Sequence, residues 1–385
     1  DVYKRQVSKA AVLALPLARR TPHRLGDPAI WFFAVLIAVL LLLVANPILR
    51  LVWDSFHTAE GQWSLQSYAQ ALGRSRNLQA LLNSLYLGAA VTALALLLGV
   101  PLALAVSRTN MPGRGFTHLS VLAAFVMPNF LGAIAWILLA GPNAGWLNRL
   151  VVELLGTAKG PFNIFSFWGL AFVIALYTYP LIYVFTKSAL DLVSTELEDA
   201  ASIHGAGKFQ TMARVTLPLV LPSIVGAAIL IFLEAIALYG TPALIAIPAR
   251  INLATTQIVS FFQYPLQVER AAAFSMPILL LTIVLLMLQR RLLARRGYVS
   301  VSGKGGERRP FDIGLWKWLL LGYSVLVALL TVILPLAILI LASLSKAWGR
   351  GLSLENLTLA NFHSIFFEQL TVRAAILNTC LLYTS

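Results

Sequence analysis

Two adjacent carboxylates, Glu198 and Asp199, stand in the run Glu198-Asp199-Ala200-Ala201-Ser202-Ile203-His204-Gly205, and nine residues further on the chain reads Val215-Thr216-Leu217-Pro218. This is the one long polar stretch between hydrophobic runs that also has strong helical character. In a helix, positions 196, 200 and 203 or 204 share one face, and 198, 201, 202 and 205 share another. Ala200 and Ala201 leave room for a partner surface to approach closely. The two acids would cap the helix, whose N-terminal dipole favours negative charge, or pair with basic groups of a partner. A solvated acidic pair at a helix start fits the same residues. Gly205 supplies a turn conformation that other residues resist. Leu217 and Pro218 open the next apolar run, where the missing N–H of proline costs little. The segment 196–212 therefore reads as helix, tight turn near Gly205, short helix, then apolar span.

Other chemistry is sparse. His23, His57, His118, His204 and His363 show no zinc-binding spacing, and no carboxylate pair shares a helix face outside the segment just described. We expect no catalytic residue, no metal site and no cofactor bound by this chain. Glu234 is different, because it lies inside an apolar run, Phe232-Leu-Glu-Ala-Ile-Ala-Leu-Tyr-Gly240. An ionisable group within a membrane span is costly and faces a cavity, a partner or the interface. Tyr239, Gly240 and Pro242 follow it in an irregular stretch, so Glu234, Tyr239, Gly240 and Pro242 are candidates for a translocation path, with an interface anchor and an ordinary turn as the alternatives.

The elements that must position these residues are membrane helices. The chain is 59% hydrophobic and only 11% charged, with a mean hydropathy of +0.82, which excludes a soluble globular domain. Crossing about 30 Å of hydrocarbon takes about 20 apolar residues. Seven runs qualify, near 30–53, 81–106, 117–140, 164–187, 217–239, 271–289 and 315–344. The net charge of +14 does not point to nucleic acid, because the cations cluster beside the spans. Lys9, Arg19, Arg20 and Arg24, then Arg108 and Arg114, then Lys187, Lys208 and Arg214, then the run from Arg290 to Arg309 all fall on one side if the N-terminus is cytoplasmic. The first run is too long for a signal peptide and lacks a cleavage site.

Both ends carry a different signal. Asp1-Val-Tyr-Lys-Arg-Gln6 and Cys380-Leu-Leu-Tyr-Thr-Ser385 read as translations of reverse-complementary DNA strings resembling the end of a transposon used to fragment DNA for sequencing. We expect residues 1–6 and 380–385 to be adapter scars, which removes Cys380, the sole cysteine, from the natural protein. There is also an internal echo. Leu65-Gln-Ser-Tyr68 followed by Leu82-Asn-Ser84 recurs as Leu359-Ala-Asn-Phe362 followed by Leu377-Asn-Thr379, with the same spacing to within one residue. The glycine-rich stretch around Gly303-Lys304-Gly305 lacks the Ser/Thr and the strand–helix frame of a phosphate loop and reads as a linker between copies.

The 198–218 stretch closely resembles the EAA loop of ABC-transporter permeases: E-A-A, three residues, G, nine residues, I-x-L-P. Asp199 stands in the Glu position and Val215 in the Ile position. The Gly240-Thr-Pro242 turn, the Thr255-Thr256 pair and the Gly-Lys-Gly linker are similar to those of fused iron(III)-type permeases. The resemblance implies an all-α polytopic membrane protein of the bacterial inner membrane, with a six-helix permease domain at 20–292 containing the loop 196–212. A cytoplasmic linker at 293–314 and the opening of a second copy at 315–379 would follow. It implies that Glu198, Asp199, Ala200, Ala201, Gly205, Leu217 and Pro218 couple the chain to two separate ATPase subunits, which alone hold ATP and magnesium. An extracytoplasmic substrate-binding protein and membrane lipid are the other expected partners, and nucleic acid is not one. Ferric iron is the expected substrate, with polyamine, thiamine and phosphonate as alternatives. A secondary transporter would need ion-coupling acids in both copies, and a membrane scaffold would leave the loop unexplained. With only the first loop present, the chain by itself is expected to import nothing, and its seventh span to lack helices to pack against.

Gly205→Asp puts a β-carbon and a charge at the turn without touching any span. The variant should reach the membrane yet hydrolyse ATP without import, measured by uptake into vesicles carrying the ATPase; wild-type uptake would refute the assignment.

Overall fold

The computed structural model describes residues 28–58, 60–294, 310–348 and 354–384. The expected scar at 1–6, the cations from Lys9 to Arg24, residues 295–309 of the expected linker and Ser385 lie outside the described residues. Among the described residues every regular element is helical, with three isolated β-bridges. In chain order the main helices are α1 Pro28–Ser55, α2 Gln66–Leu72, α3 Ser75–Arg108, α4 Arg114–Val126, α5 Asn129–Ala140, α6 Trp146–Leu155 and α7 Phe167–Leu192. Then come α8 Thr195–Ile203, α9 Lys208–Ala237, α10 Gly240–Ile245, α11 Ala254–Phe261, α12 Val268–Ala294, α13 Trp316–Ser343 and α14 Leu370–Thr384. Six of them (α1, α3, α7, α9, α12 and α13) are long and apolar enough to cross a membrane.

The run at 117–140 departs from the expected single span. It is a pair, α4 and α5, bent by 101°. Between them Met127 and Pro128 are extended, at φ −71°, ψ 122° and φ −61°, ψ 131°. Proline cannot donate to the helix ladder and pushes the residue before it out of the helical region, so a continuous apolar composition hides a break.

α7 is the centre. Leu170, Ile174, Leu176, Tyr179, Ile182, Tyr183 and Leu190 are fully buried, which is what an all-round apolar helix requires. α3 and α9 pack along it, and α4 and α5 cover other faces. At Gly132 of α5 the Tyr177 ring lies where a β-carbon would be. Small residues allow such close approach between membrane helices.

The seventh span is not left without partners. α13 lies against α3, α4 and α5. Its Ser324 hydroxyl bonds Thr117 at 2.6 Å, Tyr323 donates to the Leu97 carbonyl at 2.8 Å, and Trp348 beyond it donates to Ala144 at 3.0 Å. Val327 and Ile338 join the main core. The expectation failed because it assigned α13 to its own repeat, whereas its buried hydroxyls match the first unit. The helix that remains mostly bare is α1, which packs along α12 and exposes most side chains from Trp31 to Leu49.

The echo between 65–68 and 359–362 has a matching geometry. Ser64 N–H donates to Phe56 O at 2.9 Å and Thr358 N–H to Leu344 O at 2.7 Å. The Ser64 hydroxyl then accepts from Gln66 N–H, and the Thr358 hydroxyl from Ala360 N–H, both at 3.1 Å. Each turn thus delivers a span into a short helix by the same side-chain bond.

Gly132→Ala should lower the thermal unfolding midpoint of the detergent-solubilised protein, because overpacking costs about 1–3 kcal/mol. Gly322→Ala, on an exposed face of α13 with open space at the β-carbon, should hold or raise it. Equal behaviour of the two variants would contradict the packing described.

Candidate functional site: a polar hairpin anchored by a buried ion pair

α8 begins at Ser194, whose hydroxyl accepts from Glu196 N–H at 3.2 Å, a standard cap for the first turn. It ends where Gly205 adopts φ +81°. Ala206 N–H then bonds Ala201 O at 3.0 Å, and Gly205 N–H bonds Ser202 O at 2.9 Å, closing the helix end in the usual left-handed way. A β-carbon on Gly205 would meet nothing within 4 Å, so backbone conformation and not space demands the glycine here. The turn near Gly205 is where the residues placed it.

The second arm differs from expectation. It is no separate short helix: Lys208–Thr211 runs through a π-helical turn, Met212–Thr216, straight into the span at Leu217. The same order recurs in α13, where the π turn Leu329–Ile333 precedes Leu334-Pro335. A widened turn before Leu-Pro accommodates the proline ring and its missing N–H without ending the helix.

The two acids part company. Asp199 is exposed, whereas Glu198 is 4% exposed and turned inward. Its Oε1 lies 3.4 Å from Arg108 Nε at the end of α3 and accepts a 2.8 Å hydrogen bond from the buried Thr216 hydroxyl. Arg108, also 4% exposed, donates from Nη2 to the carbonyls of Leu190 at 2.7 Å and Val193 at 3.0 Å, which close α7. One charge pair therefore joins α3, α7, α8 and α9. Of the other candidates, Ala200 and Pro218 are exposed, and Ala201 and Leu217 half-buried. Sequence reasoning missed the outward apolar side chains Leu197, Ile203 and Phe209, the last two 84% exposed. Their signal was present: large hydrophobics in a polar segment with no span to enter.

A strap adds a second attachment. Phe311 N–H bonds Arg108 O at 2.8 Å, and Asn110 N–H bonds Phe311 O at 3.0 Å. The Asp312 carboxylate accepts from Asn110 Nδ2 at 2.6 Å, and Lys208 Nζ donates to Asp312 O at 2.6 Å. The Gly314 N–H, then the Asn110 amide, with Lys208 and Lys317 adding, hold this carboxyl below the usual carboxylate range. The segment entering α13 is thereby tied to the hairpin.

At the opposite end, Glu234, Tyr239 and Gly240 are exposed and come together, Glu234 beside the Asn129 side chain and Gly240 against Phe130. Pro242 is instead buried, because α10 turns that residue toward the bundle. Next to this group lies a cleft of about 480 Å³ lined by Arg76, Arg250, Asn252, Gln257 and Ser260 among others, without a carboxylate. α3 has 34 residues and so spans about 50 Å, which separates the cleft from the hairpin by a membrane's thickness.

The fold and site define a polytopic helical membrane protein with a structured hairpin at one end and a polar mouth at the other. Residues 95–298 match the family described as binding-protein-dependent transport system inner membrane component, and the chain belongs to that family. It is 24% identical to the putative ferric transport system permease protein FbpB 1 of Haemophilus influenzae over 97% of this chain and 58% of that protein. It is 29% identical to the putative 2-aminoethylphosphonate transport system permease protein PhnU of Salmonella typhi over 57% of this chain and 75% of that protein. The chain thus spans little more than half the length of the ferric permease. Among solved structures it is similar in fold to the bacterial alginate ABC transporter in complex with its alginate pentasaccharide-bound periplasmic protein, with a TM-score of 0.54, 16% identity, and coverage of 69% of this chain and 94% of that one.

Proposed function

We propose that the chain is the membrane-spanning permease subunit of an ATP-driven importer, with hairpin 195–216 docking on a separate ATPase subunit. The observation that carries this is the hairpin itself: a capped, turned element that presents Leu197, Ile203 and Phe209 outward while its internal acid is held in the membrane domain. Exposed apolar side chains in a polar rim mark a protein contact. The hairpin side is cytoplasmic, as is the N-terminus, in keeping with the cations at Arg108, Arg114, Lys208, Arg214, Arg290 and Arg291. Residues 20–292 form one permease unit, 293–314 a linker and 315–379 the opening of a second unit, a division supported by the matched turns at 64–66 and 358–360. Two ATPase subunits, one per hairpin, hold the ATP and magnesium. This chain binds no cofactor and does no covalent chemistry. An extracytoplasmic binding protein delivers substrate to the mouth near Tyr239 and Gly240.

Ferric iron is the substrate favoured by likeness to a ferric permease over nearly the whole chain, and Glu234 offers the kind of hard oxygen ligand that cation prefers. A second reading, an oxyanion-bearing substrate such as a phosphonate, is favoured by the arginine-lined cleft without a carboxylate and by likeness to PhnU.

Phe209→Asp and Ile203→Asp should each cut co-purification of the ATPase with the permease about tenfold, as expected for truncating a buried interface anchor. Unchanged retention would remove the hairpin from the interface. Uptake of radiolabelled ferric iron, competed with unlabelled 2-aminoethylphosphonate, separates the substrates: competition by the phosphonate would displace iron.

A further inference from the structure

Of the two adjacent carboxylates, the fold withdraws Glu198 and leaves Asp199 exposed. We propose that Arg108 and Glu198 are positioning residues that carry hairpin movement into α3 and α7, and that Glu198 takes no part in docking. This rests on the reading of the hairpin as the coupling element. Burial makes the pair a rigid connection. The side chains are 5% and 4% exposed, so separating them leaves two uncompensated charges away from water, far costlier than breaking a surface pair. The connection is also branched. Arg108 Nη2 donates to the carbonyls of Leu190 and Val193 at the end of α7, and Glu198 takes the Thr216 hydroxyl at the entrance of α9. A push on α8 thus cannot displace Glu198 without drawing Arg108 with it, and Arg108 pulls on the ends of two spans. Its own backbone carbonyl holds Phe311 of the strap leading into α13, so the same residue is also tied to the segment that enters that helix. The exposed members of the hairpin, Asp199, Ile203 and Phe209, are left to meet the partner. Docking and transmission are divided between the outward and the inward residues of one hairpin.

The test uses the permease reconstituted with its ATPase and binding protein in lipid vesicles. Three quantities are read: ATPase retained, ATP hydrolysed and substrate taken up. Glu198→Gln keeps shape and hydrogen bonding but removes the charge. The double variant Arg108→Met/Glu198→Met removes both charges, a replacement that buried pairs tolerate without loss of stability. Both should retain the ATPase within about twofold and hydrolyse ATP, while uptake falls about tenfold, the upper range for residues intermediate between two coupled sites. Arg108→Lys, which keeps a charge but not the fork onto the two carbonyls, should fall between. Loss of ATPase retention in Glu198→Gln would make Glu198 a docking residue and overturn the proposal. Wild-type uptake by the double variant would also overturn it, even if Glu198→Gln failed to reach the membrane, because the pair would then serve the fold alone. Ile203→Asp is the control for the underlying reading. If that variant retains the ATPase as well as wild type does, the hairpin is not the docking element, and this inference falls with it.

Discussion

A carboxylate and a guanidinium removed from water set the terms for one end of this molecule. Each ion costs several kcal/mol to desolvate, and their attraction offsets that only when the remaining lone pairs and N–H groups are also met. Here the Thr216 hydroxyl donates to Glu198, and Arg108 Nη2 donates to two helix-terminal carbonyls. Glu198 therefore cannot swing outward to greet a partner, and α8 cannot drift from α3. At this helix end the Leu190 carbonyl already accepts from Val193 N–H at 3.1 Å, and Arg108 adds a bond to it and one to the Val193 carbonyl beyond it. The arginine so completes α7 while it anchors the hairpin, and a single side chain satisfies two unrelated needs.

The remainder of the bundle follows a different logic, that of close approach. Without a hydrophobic drive between helices in lipid, contact depends on small residues and scattered hydroxyls. Gly132 receives the Tyr177 ring, Ser324 meets Thr117, and Thr331 in α13 is fully buried. These contacts bring α13 onto α3, α4 and α5. α1 has no comparable set and exposes most of its side chains. The two helices are thus unequally served.

The long spans and the position of the hairpin were legible in the residues because they rest on composition and on local turn chemistry. Apolar length marks α3, α7, α9 and α12, and Gly205 marks the turn that its positive φ confirms. The break in 117–140 was not legible from hydropathy, which averages over Pro128. Arg108 read only as a topological cation, since its partner lies ninety positions away and no local pattern joins them. Glu198 and Asp199 looked equivalent as neighbours; successive helical positions differ by about 100° in direction, and burial separates them completely.

The π turn at 212–216 makes the relation between hairpin and span a matter of rotational phase. An α-helix advances about 100° per residue, and a π turn holds one residue more than the α turn it replaces. Everything before Met212 is thus wound about the α9 axis relative to what an unbroken helix would present. Phe209 points outward, and Thr216 inward toward Glu198, because of a residue count as well as residue identity. A change of side chain in this segment alters the contacts of one position, whereas gain or loss of a single residue turns the whole arm to a new bearing.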